Sequence, residues 1–287
     1  MKYMFLRFPN GKAKAVTLSY DDGCQQDIKF SKIISDYGIK CTFNITSDEH
    51  KGNKALTEEQ IRSSFLSQGH EIAIHGYMHR AEGTLRPIEG IQDILNCRIE
   101  LEKKYDLIIR GMAYPDSGIR RFTNGANYES IKQYLNHLDI VYARTLGCDN
   151  DLFELPDDWY RWMPTAHHDN PYLFEYIDRF LNIDISPKKY RAARQPRLFY
   201  LWGHSYEFDQ NDNWDRLTDI CEKLGGNDDI WYATNMEIYN YVTAYNSLVY
   251  SADGKTIYNP TLYTVWFDVD GKLHTIYSGD TIKIQAQ

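Results

Sequence analysis

Three small groups of acidic and imidazole side chains have the residue types and spacing to hold a catalytic metal ion. Asp21 and Asp22 are adjacent, His75 and His79 lie four positions apart, and His204 stands alone further along the chain. Two imidazoles four residues apart lie on one face of a helical turn, so both can reach one ion. A carboxylate from another strand completes a three-ligand set with positions open for water and substrate. Such an open set is typical of a catalytic metal, whereas a structural site is closed by a fourth protein ligand.

The elements that must position these groups follow from an alternation of short β-rich runs and helical patterns. Strands are predicted at residues 14–20, 41–46, 71–75, 107–113, 139–145, 197–203 and 229–233. Helices are predicted at residues 27–37, 57–68, 87–105, 128–137, 172–181, 213–224 and 236–245. Repeated βα units imply parallel strands with right-handed crossovers, and a closed or nearly closed barrel suits this length. The three groups then fall at the carboxyl ends of the first, third and sixth strands, where barrel enzymes place their catalytic residues.

The pattern changes after residue 245. Short alternating runs surround Asp253-Gly254 and Asp270-Gly271, which are strong hairpin signals. The predicted fold class is therefore α/β, a distorted seven-stranded (β/α) barrel over residues 1–245 with a small antiparallel β appendage over residues 246–287. Such a hairpin could pair across a dimer, so a homo-oligomer stays open.

Composition limits the classes of partner. The 287 residues carry 32 Lys and Arg against 40 Asp and Glu, a net charge of −8. This acidity argues against nucleic-acid binding by phosphate neutralisation. No run approaches the ~20 apolar residues that span a membrane, and residues 1–9 lack the apolar core of a secretory signal. The five cysteines are scattered without a C-x-x-C pair, which favours reduced thiols and a cytoplasmic location.

Four motifs together resemble those of the polysaccharide deacetylases of the NodB-homology type, carbohydrate esterase family 4. They are Ser19-Tyr20-Asp21-Asp22-Gly23, His75-Gly76-Tyr77-Met78-His79, Ala113-Tyr114-Pro115-Asp116-Ser117-Gly118 and Leu201-Trp202-Gly203-His204, similar to the family's first, second, third and fifth motifs. The resemblance spans roughly residues 14–240, and the motifs come in family order. A lone DDG or HxxxH motif would be weak evidence for the family, but the four motifs together at barrel spacings are specific. The resemblance implies a NodB-like barrel, related to the TIM barrel.

The resemblance also implies a metal and a reaction. Asp22, His75 and His79 would bind a divalent metal, zinc foremost, with cobalt, nickel or manganese as alternatives. The protein would be a metal-dependent hydrolase that removes an acetyl group, N-acetyl preferred, from a carbohydrate. The alternatives are an O-acetyl esterase, a hydrolase of non-sugar amides, and a catalytically silent sugar-binding protein with the same fold.

The same resemblance assigns catalytic roles. Asp21 would be the general base that takes a proton from the attacking water. His204 would be the general acid that protonates the leaving nitrogen, since an amide nitrogen cannot depart as an anion at neutral pH. The backbone N–H of Tyr114 would help to hold the oxyanion. From the residues alone, a satisfied core imidazole remains the alternative for His204.

The sequence departs from the family pattern in its third and fourth motifs. The Arg that orients the base in many members is replaced by Ala113, and Arg110 would point to the opposite face about 10 Å away. We therefore expect Arg144, at the end of the fifth strand, to be the partner of Asp21. The fourth motif, an Asp–Trp pair that supports the acid, has only Asp157-Asp158-Trp159 as a candidate.

Two further residue groups have two interpretations each, and Trp202 has one. His167 and His168 could line the cleft, but an exposed loop pair is the preferred interpretation. Cys24 could be mistaken for a metal ligand and is better explained as a small buried hydrophobe. Trp202 precedes His204 by two residues, so both would face the barrel mouth, and it is the best candidate to stack on a sugar ring.

Overall fold

The computed structural model describes residues 3–146, 150–185 and 191–284. Its strands are β1 (Met4–Arg7), β2 (Lys14–Asp22), β3 (Cys41–Ile45), β4 (Glu71–Ile74), β5 (Gly111–Ala113), β6 (Tyr142–Arg144), β7 (Ala166–His167), β8 (Arg197–Gly203), β9 (Ile230–Tyr232), β10 (Val249–Tyr250), β11 (Thr256–Tyr258), β12 (Val265–Val269), β13 (Lys272–Ile276) and β14 (Thr281–Lys283). Its helices are α1 (Gln26–Asp36), α2 (Asp48–Lys51), α3 (Glu58–Ser64), α4 (Pro87–Tyr105), α5 (Tyr128–His137), α6 (Leu173–Leu181), α7 (Tyr206–Gln210), α8 (Trp214–Leu224) and α9 (Asn235–Asn246).

The main sheet is parallel and curled. Its strand order is β6-β5-β4-β3-β2-β8-β7, and β9 pairs with the first part of β2. Trp162 forms a bridge with Arg144 of β6, and Ala166 of β7 pairs with Leu201 of β8. The segment from Trp162 to Ala166 therefore links the two ends of the sheet. The predicted α/β barrel with additional antiparallel strands is confirmed. The two-residue strand β7 was not predicted, because it is too short to show a periodic pattern.

Strand β2 separates an apolar layer from a polar barrel interior. Leu18 and Tyr20 belong to the apolar cluster that the surrounding helices cover. On the other face, Thr17, Ser19 and Asp21 hydrogen-bond to polar side chains within the barrel. This alternation follows from the two-residue period of a strand. The polar interior thus reaches the carboxyl end of the barrel at Asp21.

Local signals set the helix boundaries that the sequence predicted well. Helix α4 has Pro87 at its first position, and the backbone turns left-handed at Asp106, just after its end. Helix α3 begins with a capping box, in which Thr57 and Gln60 exchange side-chain and backbone hydrogen bonds. Among the helices of the described residues, none is long and apolar enough to cross a bilayer.

The antiparallel strands form two small sheets, β1-β12-β13 and β10-β11-β14. Asp270 and Gly271 both have positive φ angles, 51° and 92°, and join β12 to β13 as the hairpin signal predicted. Strand β1 was not predicted and pairs with β12, so the N-terminal residues contribute to this sheet. The division of the chain after residue 245 stays a prediction.

The cysteines of the described residues are free. Cys41, Cys97 and Cys221 are buried, and Cys24 is partly buried. Cys148 lies outside the described residues.

Candidate metal centre and active site

The groups singled out in the sequence meet at the carboxyl end of the barrel. Asp21 lies near the end of β2, His75 directly follows β4, and His204 directly follows β8. Asp21 Oδ2 is 3.8 Å from His75 Nε2 and 4.0 Å from His204 Nε2. Parallel strands with a common direction therefore bring one buried carboxylate between two imidazoles that are 129 positions apart in the sequence.

Asp22, His75 and His79 present a donor set that fits a divalent metal. Their ligand atoms lie within 4.8 Å of one another, and Asp22 Oδ1 is 3.3 Å from His79 Nε2 and 3.9 Å from His75 Nε2. Tetrahedral ligands on bonds of ~2.0–2.1 Å stand ~3.4 Å apart, so these separations suit one ion. His75 Nδ1 lies 3.0 Å from the carbonyl oxygen of Ala113, to which it donates, so the Nε2 lone pair faces the site. Burial lowers the pKa of His75 to about 4, which keeps the ring in the neutral form that binds metals.

The loop that carries the two histidines differs from the prediction. A helical turn was expected over residues 75–79, but the segment is an irregular loop in which Gly76 and His79 have φ angles of 74° and 52°. Asp22 also has a positive φ of 82°. Two of the three candidate ligands, Asp22 and His79, are therefore left-handed, at a cost of about 1–3 kcal/mol each for such a residue. Backbone strain of this kind concentrates at functional sites and persists only where the surrounding structure imposes it.

Asp93 of α4 imposes the conformation of this loop. Its carboxylate is buried and accepts the backbone N–H groups of Tyr77 and Met78 at 2.6 and 3.3 Å, and Arg80 Nη2 at 3.0 Å. A Cβ atom on Gly76 would lie only 2.9 Å from this carboxylate, so the close approach requires glycine. Asp93 was not predicted from the sequence. The available signal was an acidic residue on the buried face of an amphipathic helix.

Asp21 is held ionised at the bottom of the site. It is 1% exposed, accepts Arg144 Nη2 at one oxygen, and accepts Asn44 Nδ2 at the other at 2.8 Å. Burial by itself would raise the pKa of Asp21, but the charges of Arg144, His75 and His204 outweigh it and hold the pKa below its ordinary value. The carboxylate is therefore available to accept a proton at neutral pH.

The geometry explains why Arg144 reaches this carboxylate. Arg144 is the register partner of Ala113 on the neighbouring strand, so it occupies the same level of the barrel as the position where an Arg is missing. Its guanidinium is fully buried and lies 4.5 Å from the ring centre of Trp202, which covers it. Arg110 instead binds Asp139 at 2.6 Å, consistent with its predicted position on the opposite face.

His204 has a carboxylate partner that was not predicted from the sequence. Glu207, on the short helix α7, lies with Oε1 3.3 Å from His204 Nδ1, and its Oε2 accepts the His204 backbone N–H at 3.1 Å. Burial tends to lower the pKa of His204, but Glu207 and Asp21 outweigh it and raise the pKa above its ordinary value. The fourth-motif candidate lies elsewhere, since Asp158 accepts Lys132 Nζ at 2.7 Å. The available signal was the three-residue spacing between His204 and Glu207.

The expectation that His167 and His168 form an exposed loop pair is wrong. His168 is fully buried, with Nδ1 3.2 Å from the hydroxyl of Tyr20. His167 ends β7, and its ring packs edge-on against Trp202 at 4.6 Å. The parallel strand β7 brings both side chains into the barrel wall beside the His204 loop, an arrangement that its two-residue signal did not predict.

Tyr114 does not offer the free backbone N–H that was expected. This N–H donates to the carbonyl oxygen of Arg144 at 3.0 Å as a continuation of the β5–β6 pairing. The ring is buried and its hydroxyl donates to the carbonyl oxygen of Tyr160 at 3.0 Å. Because the N–H already has a partner, we give Tyr114 no role in holding the oxyanion.

The loops after β2 and β8 are tied together behind the site. The buried carboxylate of Asp27 accepts the Ser205 hydroxyl at 2.6 Å and the Cys24 backbone N–H at 2.8 Å. The Cys24 thiol contacts the Ser205 hydroxyl at 3.1 Å, and burial raises its pKa to about 12. Cys24 is thus a neutral thiol that fixes the spacing of the two loops.

A family comparison agrees with the motifs that the structure brings together. Residues 9–139 match the family model described as polysaccharide deacetylase. The resemblance to the polysaccharide deacetylases is confirmed. The matched residues include the loops that carry Asp21, Asp22, His75 and His79.

Three solved structures from this family of enzymes and pseudoenzymes align with the chain. A Mycobacterium smegmatis protein described as a polysaccharide deacetylase aligns with a TM-score of 0.58 and 17% identity, over 86% of this chain and 96% of that chain. The Streptococcus pyogenes deacetylase PplD aligns with a TM-score of 0.40 and 17% identity, over 46% of this chain and 55% of that chain. Bacillus anthracis BA3943, a family 4 pseudoenzyme, aligns with a TM-score of 0.46 and 15% identity, over 82% and 68% of the two chains. No curated protein matches the chain significantly in sequence. At this identity the first alignment supports the barrel fold alone.

Proposed function

We propose that the protein is a metal-dependent hydrolase that removes an acetyl group, preferably N-linked, from a carbohydrate. The observation that carries this proposal is the position of Asp21, whose carboxylate contacts both the candidate metal ligand His75 and the candidate acid His204. A base, an acid and a three-ligand metal set on one barrel mouth are the parts that hydrolysis of an acyl group requires. The match to the deacetylase family supports the acetyl group and the sugar.

The residues of the site divide the reaction between them. A divalent ion held by Asp22, His75 and His79, zinc foremost, would polarise the acetyl carbonyl and acidify a water molecule. Asp21 takes one proton from the attacking water, and Arg144 keeps its carboxylate ionised and aimed at the site. As the C–N bond breaks, His204 passes its proton to the leaving nitrogen. The products are acetate and the free amine.

The proposal also covers the substrate, an acetylated carbohydrate, and the location of the protein in the cell. Trp202 is partly exposed beside His204, with ring centres 5.9 Å apart, and offers an aromatic surface for a sugar ring. The partner is an acetylated carbohydrate. The free thiols of Cys24, Cys41, Cys97 and Cys221 favour a cytoplasmic location, which suits small or imported sugars as substrates.

Acetate release from a panel of acetylated sugars tests this function. We expect purified protein to release acetate from N-acetylglucosamine oligomers, to lose this activity when the metal is chelated, and to regain it when a divalent metal is restored. Acetylated xylan serves as the ester comparison. Faster release from xylan would identify an O-acetyl esterase, and protein that binds a sugar without releasing acetate would be the catalytically silent alternative.

Replacing Arg144 with Ala should reduce turnover by about 10–100-fold without loss of bound metal, because the base loses the group that orients it. The buried Asp21 carboxylate would also lose its main compensating charge, so its pKa should rise and the acid limb of the pH profile should move to higher pH. Steady-state kinetics across pH, with metal analysis of the same samples, measure both effects.

Arg144→Lys is the matched control for this change. Lys retains a positive charge but lacks the planar guanidinium group that Trp202 covers. In Arg144→Lys the acid limb of the pH profile should therefore return to its wild-type position more completely than the turnover does. Turnover of Arg144→Ala equal to that of the wild type would exclude the proposed role.

A further inference from the structure

Glu207 lies among three imidazoles, those of His167, His168 and His204, and only His204 has a role in the proposed reaction. Its Oε2 is 3.1 Å from His167 Nε2 and 3.3 Å from His168 Nε2, and its Oε1 is 3.3 Å from His204 Nδ1. Asp169 follows directly, with Oδ1 3.6 Å from His168 Nε2. Two chemical arrangements fit such a cluster, a second metal site and a hydrogen-bond network.

Hydrogen bonding at His167 distinguishes these arrangements. The backbone N–H of Asp169 donates to His167 Nδ1 at 3.2 Å, so Nδ1 is an acceptor. In the neutral ring the proton must then reside on Nε2, the nitrogen that lies 3.1 Å from Glu207 Oε2. A protonated nitrogen has no lone pair for a metal, so the His167 atom nearest to Glu207 is a donor and not a ligand. His75 is the opposite case, because its Nδ1 donates to a carbonyl and its Nε2 lone pair is free.

Both carboxylate oxygens of Glu207 face nitrogen atoms that can donate a hydrogen bond. Its Oε2 receives the backbone N–H of His204 at 3.1 Å, and His167 Nε2 lies 3.1 Å from the same oxygen. The other oxygen, Oε1, lies 3.3 Å from His204 Nδ1, a buried nitrogen that has no hydrogen-bond partner among the described residues. A carboxylate fixed by two donors at one oxygen can hold an imidazole at the other oxygen in one orientation.

Ring packing restricts the orientation of the His167 side chain. The His167 ring packs edge-on against Trp202 at 4.6 Å and tilted against His168 at 4.4 Å. His168 is fully buried, and its own ring stacks on Phe208 of α7 at 4.3 Å. His167 therefore has little rotational freedom, and its contact with Glu207 belongs to the packed wall of the barrel.

We infer that Glu207 and His167 are positioning residues for His204: His167 fixes the Glu207 carboxylate, which binds His204 Nδ1–H and directs Nε2 toward Asp21. This inference rests on the proposed function, since it gives His204 its orientation as the acid. In the transfer step the proton leaves His204 Nε2 for the leaving nitrogen. The Nδ1 proton stays in its hydrogen bond with Glu207, so one proton moves and the neutral ring remains.

The charged groups that face the two histidines determine the pH response. His204 faces Glu207, the buried Asp21 carboxylate 4.0 Å away, and the ring of Tyr206 at 5.1 Å. His167 faces Glu207 and the buried ring of His168. Among these, the Glu207 carboxylate is the anion nearest to His204, so its charge favours the protonated acid most directly.

Replacement of Glu207 with Gln tests the inference, because Gln keeps the size of the side chain and loses the charge. We expect kcat to fall about 10–100-fold with KM within about twofold, and the alkaline limb of kcat/KM to move to lower pH by about one unit. The same shift should be visible in an NMR titration of the His204 ring, which requires no substrate. Metal bound at Asp22, His75 and His79 should be unchanged.

His167 variants separate positioning from packing. His167→Ala should lower kcat about 3–10-fold, and His167→Gln, whose amide can still donate to Glu207, should recover most of that loss. His137→Ala, which removes an exposed imidazole at the end of α5, is the control and should behave as wild type. Equal loss in His167→Ala and His167→Gln would contradict the donor role.

Two results would overturn the inference. One is a Glu207→Gln variant whose His204 titration and alkaline limb equal those of the wild type. The other is zinc binding by the His79→Ala protein that disappears in His79→Ala/His167→Ala, which would make the cluster a metal site. Wild-type protein that releases no acetate from any substrate would count against the proposed function instead, and the NMR titration would still decide the contact between Glu207 and His204.

Discussion

Replacing Asp21 with Asn should reduce turnover by about 10²–10⁴-fold while the metal stays bound. The amide cannot accept the proton of the attacking water, whereas the candidate ligands Asp22, His75 and His79 are untouched. Single-turnover acetate release, measured together with the metal content of the same protein, distinguishes a lost base from a lost ligand. An Asp21→Asn protein that no longer holds metal would reverse the assignment of the two adjacent aspartates.

Stability must be controlled in this experiment, because Asp21 is also half of a buried ion pair. Its loss leaves the fully buried guanidinium of Arg144 without a counter-charge, a change that costs about 3–5 kcal/mol in such pairs. The Asn44 amide, which donates to Asp21, would face a second amide. We therefore expect a lower melting temperature for Asp21→Asn even where the fold persists.

The double variant Asp21→Asn/Arg144→Met separates the two effects. Removing both charges should restore much of the melting temperature, because an apolar side chain replaces the unpaired cation. Turnover should remain as low as in the single variant. Recovery of turnover together with stability would mean that the single variant failed through its fold, and Asp21 would lose its role as the base.

Elements with strong local signals could be predicted from the sequence. Strand β2 is a continuous buried run, and α4 opens with Pro87 and ends at a left-handed residue, so each carries its own boundaries. The meeting of Asp21, His75 and His204 also followed from the sequence, because parallel strands place their carboxyl ends at one side of a barrel. Topology thus predicted which strand ends converge.

Features that depend on pairing between distant segments could not be predicted in this way. Strand β1 has four residues and is defined by its partner β12, more than 250 positions away. Arg144 was selected from its position at a strand end, but its level in the barrel depends on the register between β5 and β6. No local pattern encodes such a register, so the contact with the carboxylate becomes visible only in three dimensions.

Hydrogen-bond occupancy was the least predictable property of the site. Motif similarity assigned the Tyr114 N–H to the oxyanion, but the extension of the β5–β6 pairing engages it with the Arg144 carbonyl. Conversely, Asp93 and Glu207 lie outside the motifs and make several of the contacts that orient the loops. The residue type at a motif position indicates which hydrogen bonds or ligands that residue can form. The surrounding backbone determines whether its donor and acceptor atoms already have partners within the protein.

Replacing His79 with Ala should abolish metal binding and, with it, nearly all turnover. Three protein ligands leave little redundancy, because removal of one leaves a two-ligand set with weak affinity for a divalent ion. The wild-type protein should bind one equivalent of zinc, and its melting temperature should rise as zinc is added. A ligand at 100 times its dissociation constant stabilises the folded state by about 2.7 kcal/mol. The His79→Ala variant should bind no equivalent of zinc, and its melting temperature should not rise when zinc is added.

His50→Ala is the matched control for the loss of His79. The His50 ring stacks on that of His79 at 5.6 Å but is not one of the three candidate ligands, so its removal should preserve the bound zinc and the zinc-dependent rise in melting temperature. Backbone strain is controlled in the same series, because His79 has a φ of 52° that glycine adopts without cost. A His79→Gly variant should therefore lack zinc like His79→Ala but unfold at a higher temperature. Zinc retained in both substitutions would place the metal elsewhere and remove the basis of the proposed hydrolase.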